Sequence, residues 1–245
     1  MYAARLFGSA EGIVRGGKLV SASTVANIDK KDVSFSVPSH AALCLNMAHS
    51  AYKVAQELWK PEIIKNTDSG FRVEDELPRL YDFFEQMFLN VVFSFTAVEA
   101  FSNSIIPEDF VFARTRDDKK CEESYTKEQI ERHLSLDIKI SEVLPKVVGK
   151  ACARGSNIWT DCALLRDRRN RIIHVKSADL GISLKGERTI WEELLKLRSK
   201  DSSLIAHKII KYFVPEPDDS TPVSATRNNW VKSFPFRKAM NETDK

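Results

Sequence analysis

Residues 73–106 read VEDELPRLYDFFEQMFLNVVFSFTAVEAFSNSII and carry the longest helical pattern of the chain. Acidic residues crowd the first turn of this pattern, where they complement the positive end of a helix dipole. Pro78 is tolerated there because a first turn needs no amide donor, and Pro107 stops the helix. The helix is predicted to lie centrally in a bundle, because its apolar stripe is wide and includes 77, 80, 81, 84, 87, 88, 91, 92, 95, 98, 101 and 105.

A second helical pattern precedes this stretch. Ser39 is a suitable N-cap, and Pro61 ends or kinks the helix because it lacks an amide donor. Residues 66–70 are predicted to be a loop between the two helices. One face of the upstream helix is formed by apolar or small residues at 41, 45, 48, 52, 55 and 59.

Capping signals open further helices downstream. Thr126 and Gln129 form a capping box, which predicts a helix to about Val143, and Pro145 and Gly149 then break it. Three more helices are predicted at residues 156–175, capped by Ser156 or Asn157, at residues 189–197, and at residues 202–213, capped by Asp201.

Two other parts of the chain lack a helical pattern. Residues 1–37 include the alternating Val33, Phe35 and Val37, and they are predicted to form a small β-rich N-terminal element with a hairpin. Residues 107–125 are predicted to be a charged, exposed loop.

The last part of the chain, residues 215–245, contains four prolines and few apolar pairs. It is predicted to be an irregular C-terminal tail, which Trp230, Phe234 and Phe236 tether to the body. The predicted fold class is therefore mainly α, with an antiparallel helical bundle over residues 38–214 between the β element and the tail.

The composition is that of an ordinary soluble globular protein. The 245 residues are 43% hydrophobic and 29% charged, with a formal net charge of +3. The four cysteines show no zinc-like spacing with the five histidines, so we expect reduced thiols and no metal. No signal peptide or membrane-length apolar run is apparent, which predicts a cytoplasmic protein without membrane contact. Phosphate-loop, dinucleotide-binding, zincin and α/β-hydrolase motifs are absent.

The chemically informative stretch is residues 164–174, LLRDRRNRIIH. Asn170 and His174 are four residues apart and share a helix face, which the long side chain of Arg169 also reaches. A histidine moves protons near neutral pH, and an arginine offers a rigid fork to a phosphate oxygen. Arg169, Asn170 and His174 are therefore catalytic candidates for phosphodiester cleavage.

The charge distribution supports a polyanionic ligand. Residues 150–176 contain seven basic residues against two acidic ones, which favours RNA. The candidate RNA-binding residues are Arg166, Arg168, Arg171 and Lys176, although a solvated helix face is the default explanation for the three arginines.

The pattern Arg169-Asn170-x-x-x-His174 resembles the hallmark of the HEPN family (higher eukaryotes and prokaryotes nucleotide-binding domains), in which an arginine precedes a histidine by a short spacer. Glu99-x-x-x-Asn103 is similar to the Glu-x-x-x-Asn stretch that many HEPN proteins carry on the helix packed against the motif helix. The likeness covers roughly residues 39–213.

This resemblance implies a HEPN-like helical bundle that forms a homodimer. It also implies a metal-independent endoribonuclease without a cofactor, in which a ribose 2′-OH attacks the adjacent phosphorus. RNA is the implied substrate, and an antitoxin or a phage-defence protein is a further candidate partner. Glu99 and Asn103 are implied to support the site. We expect Glu99 to pair with Arg169 or a neighbour of Arg169, because a carboxylate on a largely apolar helix needs a partner.

Two alternatives stay open. One HEPN subset, paired with nucleotidyltransferase antitoxins, has a tyrosine two residues after the histidine, where this chain has Lys176, so the chain is not assigned to that subset. Other HEPN proteins keep the fold without cleavage, so a catalytically inactive bundle that binds a nucleotide, RNA or a protein partner is the first alternative. A helical interaction module unrelated to HEPN is the second.

Overall fold

Helices dominate the part of the chain that the structure describes, with short hairpins between them. The computed structural model describes residues 23–59, 65–67, 70–72, 77–116, 121–180, 189–214, 230–232 and 234–235. In chain order the elements are β1 Ser23–Ile28, β2 Lys31–Ser36, α1 His40–Leu58, β3 Lys65–Thr67, β4 Gly70–Arg72, α2 Leu77–Ile105, β5 Val111–Arg116, β6 Cys121–Thr126, α3 Lys127–His133, α4 Leu136–Ile138, a π-helical segment Lys139–Val143, α5 Leu144–Val148, α6 Asn157–Ile173, α7 Ser177–Leu180, α8 Ile190–Lys196 and α9 Ser202–Phe213.

Helices α1 and α2 form the most extensive helix contact. Helix α1 buries mostly small residues, such as Ala48 and Ala55, whereas α2 buries large ones, such as Phe83 and Met87. Small side chains on one helix make room for the large side chains of the other, which allows dense packing without voids.

Both long helices follow the sequence predictions. The Ser39 hydroxyl accepts a hydrogen bond from the Ala42 amide at 3.3 Å, which confirms the predicted N-cap of α1. Helix α2 ends at Ile105, just before the predicted stop at Pro107. Its predicted first turn at residues 73–76 and the predicted stop of α1 at Pro61 lie outside the described residues.

Among the described helices, α2 alone is long and apolar enough to cross a membrane by length and composition. Its main neighbours are α1, α9 and α6. A core helix of a globular protein can have the same length and apolar composition, because neighbouring helices cover its wide apolar stripe.

Side-chain N-caps begin helices α6, α8 and α9, and those of α6 and α9 were predicted. The hydroxyl of Ser156 caps α6, that of Thr189 caps α8, and the carboxylate of Asp201 caps α9. Helix α6 ends at Ile173, two residues before the predicted end at Val175.

The chain between α2 and α6 differs from the prediction. The capping box of Thr126 and Gln129 is confirmed, but the single helix predicted to Val143 is wrong, because α3, α4 and the π-helical segment occupy that range. Pro145 lies in the first turn of α5, where no amide donor is needed, so it begins a helix instead of breaking one. Gly149 ends α5 at φ +65°, a left-handed conformation that suits glycine.

The prediction of an exposed loop at residues 107–125 is also wrong, because β5 and β6 form an antiparallel hairpin there. Phe112 lies opposite Tyr125 and is only 1% exposed, since its ring faces the core. The next pair on the same face, Arg114 and Glu123, has opposite charges. Cross-strand pairs of both kinds stabilise hairpins.

The N-terminal β element is confirmed where the structure describes it. Strands β1 and β2 form an antiparallel hairpin, which turns at Asp29 and Lys30 with positive φ angles. Residues 1–22 lie outside the described part. Strands β3 and β4 form another short antiparallel hairpin where residues 66–70 were predicted to be a loop.

Part of the predicted tail belongs to the core. Trp230 is 1% exposed and Phe234 is 9% exposed, which confirms both as tethers. Phe236, the third predicted tether, lies outside the described residues.

Two histidines hold this segment. The Phe234 ring lies between His49 of α1 and His207 of α9, with ring centroids 5.4 and 4.9 Å away. The His207 Nε2 atom also bonds the Val231 carbonyl at 2.7 Å. Val231 and Phe234 therefore connect α1 with α9.

Candidate functional site

Helix α6 carries the Arg–Asn–His motif and packs against α2 and α9. Arg168, and not the predicted catalytic candidate Arg169, lies on its apolar face. The inward-facing residues of α6 are Ile158, Cys162, Leu165, Arg168 and Ile172.

Arg169 is half-buried and lies over an aromatic ring. Its guanidinium carbon is 5.0 Å from the centroid of Phe95 on α2, a distance suited to a cation–π interaction. Its Nη1 atom donates to the Asn170 side-chain oxygen at 2.9 Å. No carboxylate oxygen of the described residues lies within 4.0 Å of this guanidinium. Among the described residues, no carboxylate therefore offsets the charge of Arg169.

The other three arginines of the motif helix are paired with carboxylates. Arg166 pairs with Asp137 and Asp167, so its guanidinium is already engaged. Arg168 is 7% exposed, and its Nε atom lies 3.5 Å from Glu193. Burial lowers the pKa of the Arg168 guanidinium, while the Glu193 charge opposes that effect. The solvated face predicted for Arg168 is thus wrong, because its side chain faces the interior, and its RNA binding stays a prediction.

Arg171 joins three helices. Its guanidinium lies 3.2 Å from Asp179 of α7 and 3.5 Å from Glu193 of α8. Arg166 and Arg171 were predicted to bind RNA, but these ion pairs give both a structural role.

Asp179 is the buried acceptor of this contact. Its Oδ1 atom accepts from the Ile190 amide at 2.7 Å as well as from Arg171. Burial by itself raises the pKa of the Asp179 carboxyl, but these donors and the Lys176 amide more than reverse that effect and hold the pKa below its usual value. The carboxylate therefore locks α6, α7 and α8 together.

His174 lies just past the end of α6. Its amide donates to the Asn170 carbonyl at 2.8 Å, and its φ of −112° and ψ of 72° lie outside the helical region. Its side chain is exposed, and its imidazole forms no hydrogen bond or ion pair with the residues that the structure describes. The structure thus joins Arg169 and Asn170 through their side chains, whereas His174 is joined to Asn170 only through the backbone.

Glu99 and Asn103 surround a lysine instead of Arg169. The Lys139 ammonium donates to the Asn103 side-chain oxygen at 2.8 Å and to the Glu131 carbonyl at 3.1 Å. Burial lowers the pKa of Lys139, and the negative charges of Glu99 and Glu131 counteract that effect. The expected ion pair between Glu99 and Arg169 does not form between these two described residues.

Sequence reasoning missed Lys139 and Phe95 as neighbours of the candidate residues. Lys139 is 1% exposed, although a lysine in a charged stretch is normally solvated. Phe95 was attributed to the core alone. Its spacing of one helical turn before Glu99 was the only available signal that the two positions share a face.

The last predicted RNA-binding residue, Lys176, has an exposed side chain two residues after His174. No group of three or more histidine, cysteine, aspartate or glutamate side chains that could hold a metal ion occurs within the described ranges. The candidate polar groups at this end of α6 are thus a half-buried guanidinium and amide and an exposed imidazole and ammonium.

Comparisons with known proteins give no family for this chain. No protein-family model matches it, and neither a curated protein sequence nor a solved structure is significantly similar to it.

Proposed function

We propose that this chain is a HEPN-type, metal-independent endoribonuclease. The observation that carries the proposal is the difference between Arg169 and the other arginines of α6. Arg166, Arg168 and Arg171 are neutralised by carboxylates, whereas Arg169 has no such partner among the described residues and lies beside Asn170. An arginine held in place without a counter-ion is suited to bind a phosphate.

In the proposed reaction, the 2′-oxygen of a ribose attacks the adjacent phosphorus. The bond from phosphorus to the 5′-oxygen of the next nucleotide breaks, and a 2′,3′-cyclic phosphate remains. One imidazole takes the proton of the 2′-OH, and a second returns a proton to the departing 5′-oxygen. Arg169 stabilises the charge on the phosphoryl oxygens, and Asn170 orients the guanidinium through its side-chain oxygen.

The second imidazole comes from a second copy of the chain. Ile173, Val175 and Leu180 surround His174 in the sequence and are 50%, 47% and 77% exposed. Exposed apolar side chains in a cluster favour a protein contact. A homodimer formed at this end of α6 brings His174 of one protomer close to His174 of its partner. One His174 then takes the proton of the 2′-OH and the partner's His174 protonates the departing 5′-oxygen, so the reaction requires no metal.

A cytoplasmic toxin or phage-defence effector is the proposed setting, with an antitoxin or defence-system protein as a candidate partner. This setting rests on the resemblance of the motif alone.

Cleavage of a single RNA in EDTA tests the function. The wild type is expected to cleave, and His174→Ala to lose about 10²- to 10⁴-fold in rate, as for a positioned acid–base group. His133→Ala is the matched control, because His133 is also exposed at the end of a helix, α3. Full activity of His174→Ala, or loss of activity in EDTA, would contradict the proposal.

One observation favours the alternative of a binding module without catalysis. No described residue orients the His174 imidazole within the chain, whereas catalytic histidines commonly donate to an orienting group. RNA binding that depends on Arg169, without cleavage by the wild-type dimer, would establish this alternative.

A further inference from the structure

Trp191 of α8 is an aromatic side chain that the core only partly covers. Its surface is 38% exposed, and its ring stacks on Phe88 of α2 with centroids 5.9 Å apart and planes at 14°. Phe84 contacts it at 5.2 Å, and its indole N–H donates to the Asp179 carbonyl at 2.9 Å. These contacts fix the orientation of the ring and leave part of its surface in solvent.

The contacts of α2 place this ring near the motif. Arg169 lies on Phe95, and Trp191 stacks on Phe88, seven residues earlier on the same helix. Seven residues are two helical turns, or about 10.5 Å along the axis, so the two contacts share one face of α2.

Helix α6 runs antiparallel to α2, which places His174 on the Trp191 side of Arg169. Arg166 pairs with Asp137 of α4, and Lys139 in the π-helical segment that follows bonds Asn103 near the C-terminal end of α2. Arg169 lies later in α6 than Arg166, but its ring partner Phe95 lies earlier in α2 than Asn103. His174 follows further in that direction. The Asp179 carbonyl, which accepts from the indole, is also five residues beyond His174.

We propose that Trp191 is a nucleobase-stacking surface next to the candidate active site, and that the substrate is single-stranded RNA. This inference rests on the proposed ribonuclease function. In a duplex, stacked neighbours cover both faces of each base, so only an unpaired base can lie on the indole. With the phosphate at Arg169, an adjacent base of the strand lies within reach of Trp191, and its stacking strengthens binding by roughly 5- to 150-fold.

Binding of a 2′-O-methyl RNA, which cannot be cleaved by 2′-OH attack, tests the inference by fluorescence anisotropy. Trp191→Leu is expected to weaken binding of the single strand by roughly 5- to 150-fold, and Trp191→Phe to keep most of it. The same sequence as a duplex is expected to bind weakly to all variants. Trp159→Leu is the control, because Trp159 is a half-buried indole ten residues before Arg169 on α6, about 15 Å along its axis.

A second measurement covers the case in which Trp191→Leu does not fold. The emission of Trp191 is the difference between the spectra of the wild type and Trp191→Phe, and single-stranded RNA is expected to quench it. Absence of quenching, or equal affinity of the wild type and a folded Trp191→Leu, overturns the inference. If the Trp191 inference fails in this way but Arg169→Ala still binds RNA more weakly than the wild type, the ribonuclease proposal stands. No binding and no cleavage of RNA by the wild type overturns both.

Discussion

Arg168 and Arg169 are neighbours in the chain, but their side chains have opposite environments. Arg168 is 7% exposed beside Glu193, whereas Arg169 lies over Phe95 at the edge of the bundle. Arg169→Ala is expected to weaken RNA binding by about 10- to 150-fold, the equivalent of one charge-assisted hydrogen bond, with little change in stability. Arg168→Ala is expected to reduce the free energy of unfolding by about 1–3 kcal/mol. RNA-binding titrations and urea denaturation of both variants distinguish the two roles, and equal losses of stability would contradict this assignment.

His207 predicts how stability depends on pH. Burial lowers the pKa of His207 below its ordinary value of 6.5, and the nearby Lys211 charge lowers it further, while the bond to Val231 opposes both. The unfolded chain therefore binds a proton at a higher pH than the folded chain does, so the free energy of unfolding falls as the pH drops below about 6.5. His207→Gln, which retains a donor for Val231, is expected to show a shallower fall.

Urea denaturation at pH 7, 6 and 5 measures this effect. His133→Gln is the control, because His133 is exposed at the end of α3 and should leave the pH dependence unchanged. The same slope for His207→Gln and the wild type would show that burial of His207 does not contribute.

At the scale of elements, Asp179 holds the short helices against α6. Asp179→Asn is expected to reduce the free energy of unfolding by about 1–3 kcal/mol at pH 7, because an amide cannot replace a buried carboxylate that accepts from Ile190 and Arg171. The pKa of Asp179 is depressed in the folded chain, so its stabilisation is present above the ordinary value of 3.8 and is lost as the pH falls through the folded value.

Denaturation of Asp179→Asn and Asp167→Asn over a range of pH separates burial from simple loss of charge. Asp167 pairs with Arg166 on the surface with 66% of its side chain exposed, so Asp167→Asn should change stability by less than about 1 kcal/mol. A similar loss for both variants would contradict the role assigned to Asp179.

The elements that the sequence predicted well are those with local signals. The caps at Ser39, Ser156 and Asp201 bond to amides two or three residues away, so a short stretch of sequence specifies each helix start. The hairpin at β5 and β6 was missed because its charged residues suggested a loop, while its stability depends on the burial of Phe112 against distant helices.

In the candidate site, too, the sequence predicted local contacts but not contacts between residues that are distant in the chain. The motif identified Arg169 and Asn170 correctly as neighbours, since they lie next to each other on one helix. The partner of Asn103 was not predictable, because Lys139 lies 36 residues away in the chain and reaches it only through the π-helical segment. Which arginine faces inward also depends on the rotation of α6 about its axis, which its packing against α2 and α9 sets.

For the whole molecule, the proposed mechanism predicts a dimer. Ile173 is 50% exposed next to His174, so Ile173→Glu is expected to place a charge in the proposed contact. Light scattering at tens of micromolar should give twice the chain mass of 27.8 kDa for the wild type and the single mass for Ile173→Glu, with cleavage lost in parallel. Val54→Glu on α1, where Val54 is 41% exposed, should change neither quantity. A wild type that is strictly monomeric yet active would contradict the proposed arrangement.

The burial of Trp230 and Phe234 also affects the timing of folding during synthesis. His49 of α1 leaves the ribosome early, but the ring that packs against it belongs to residue 234. At a translation rate of about 5–20 residues per second, Phe234 is added on the order of ten seconds or more after His49. This order of assembly delays the complete core until residue 234 has left the ribosome and can pack between α1 and α9.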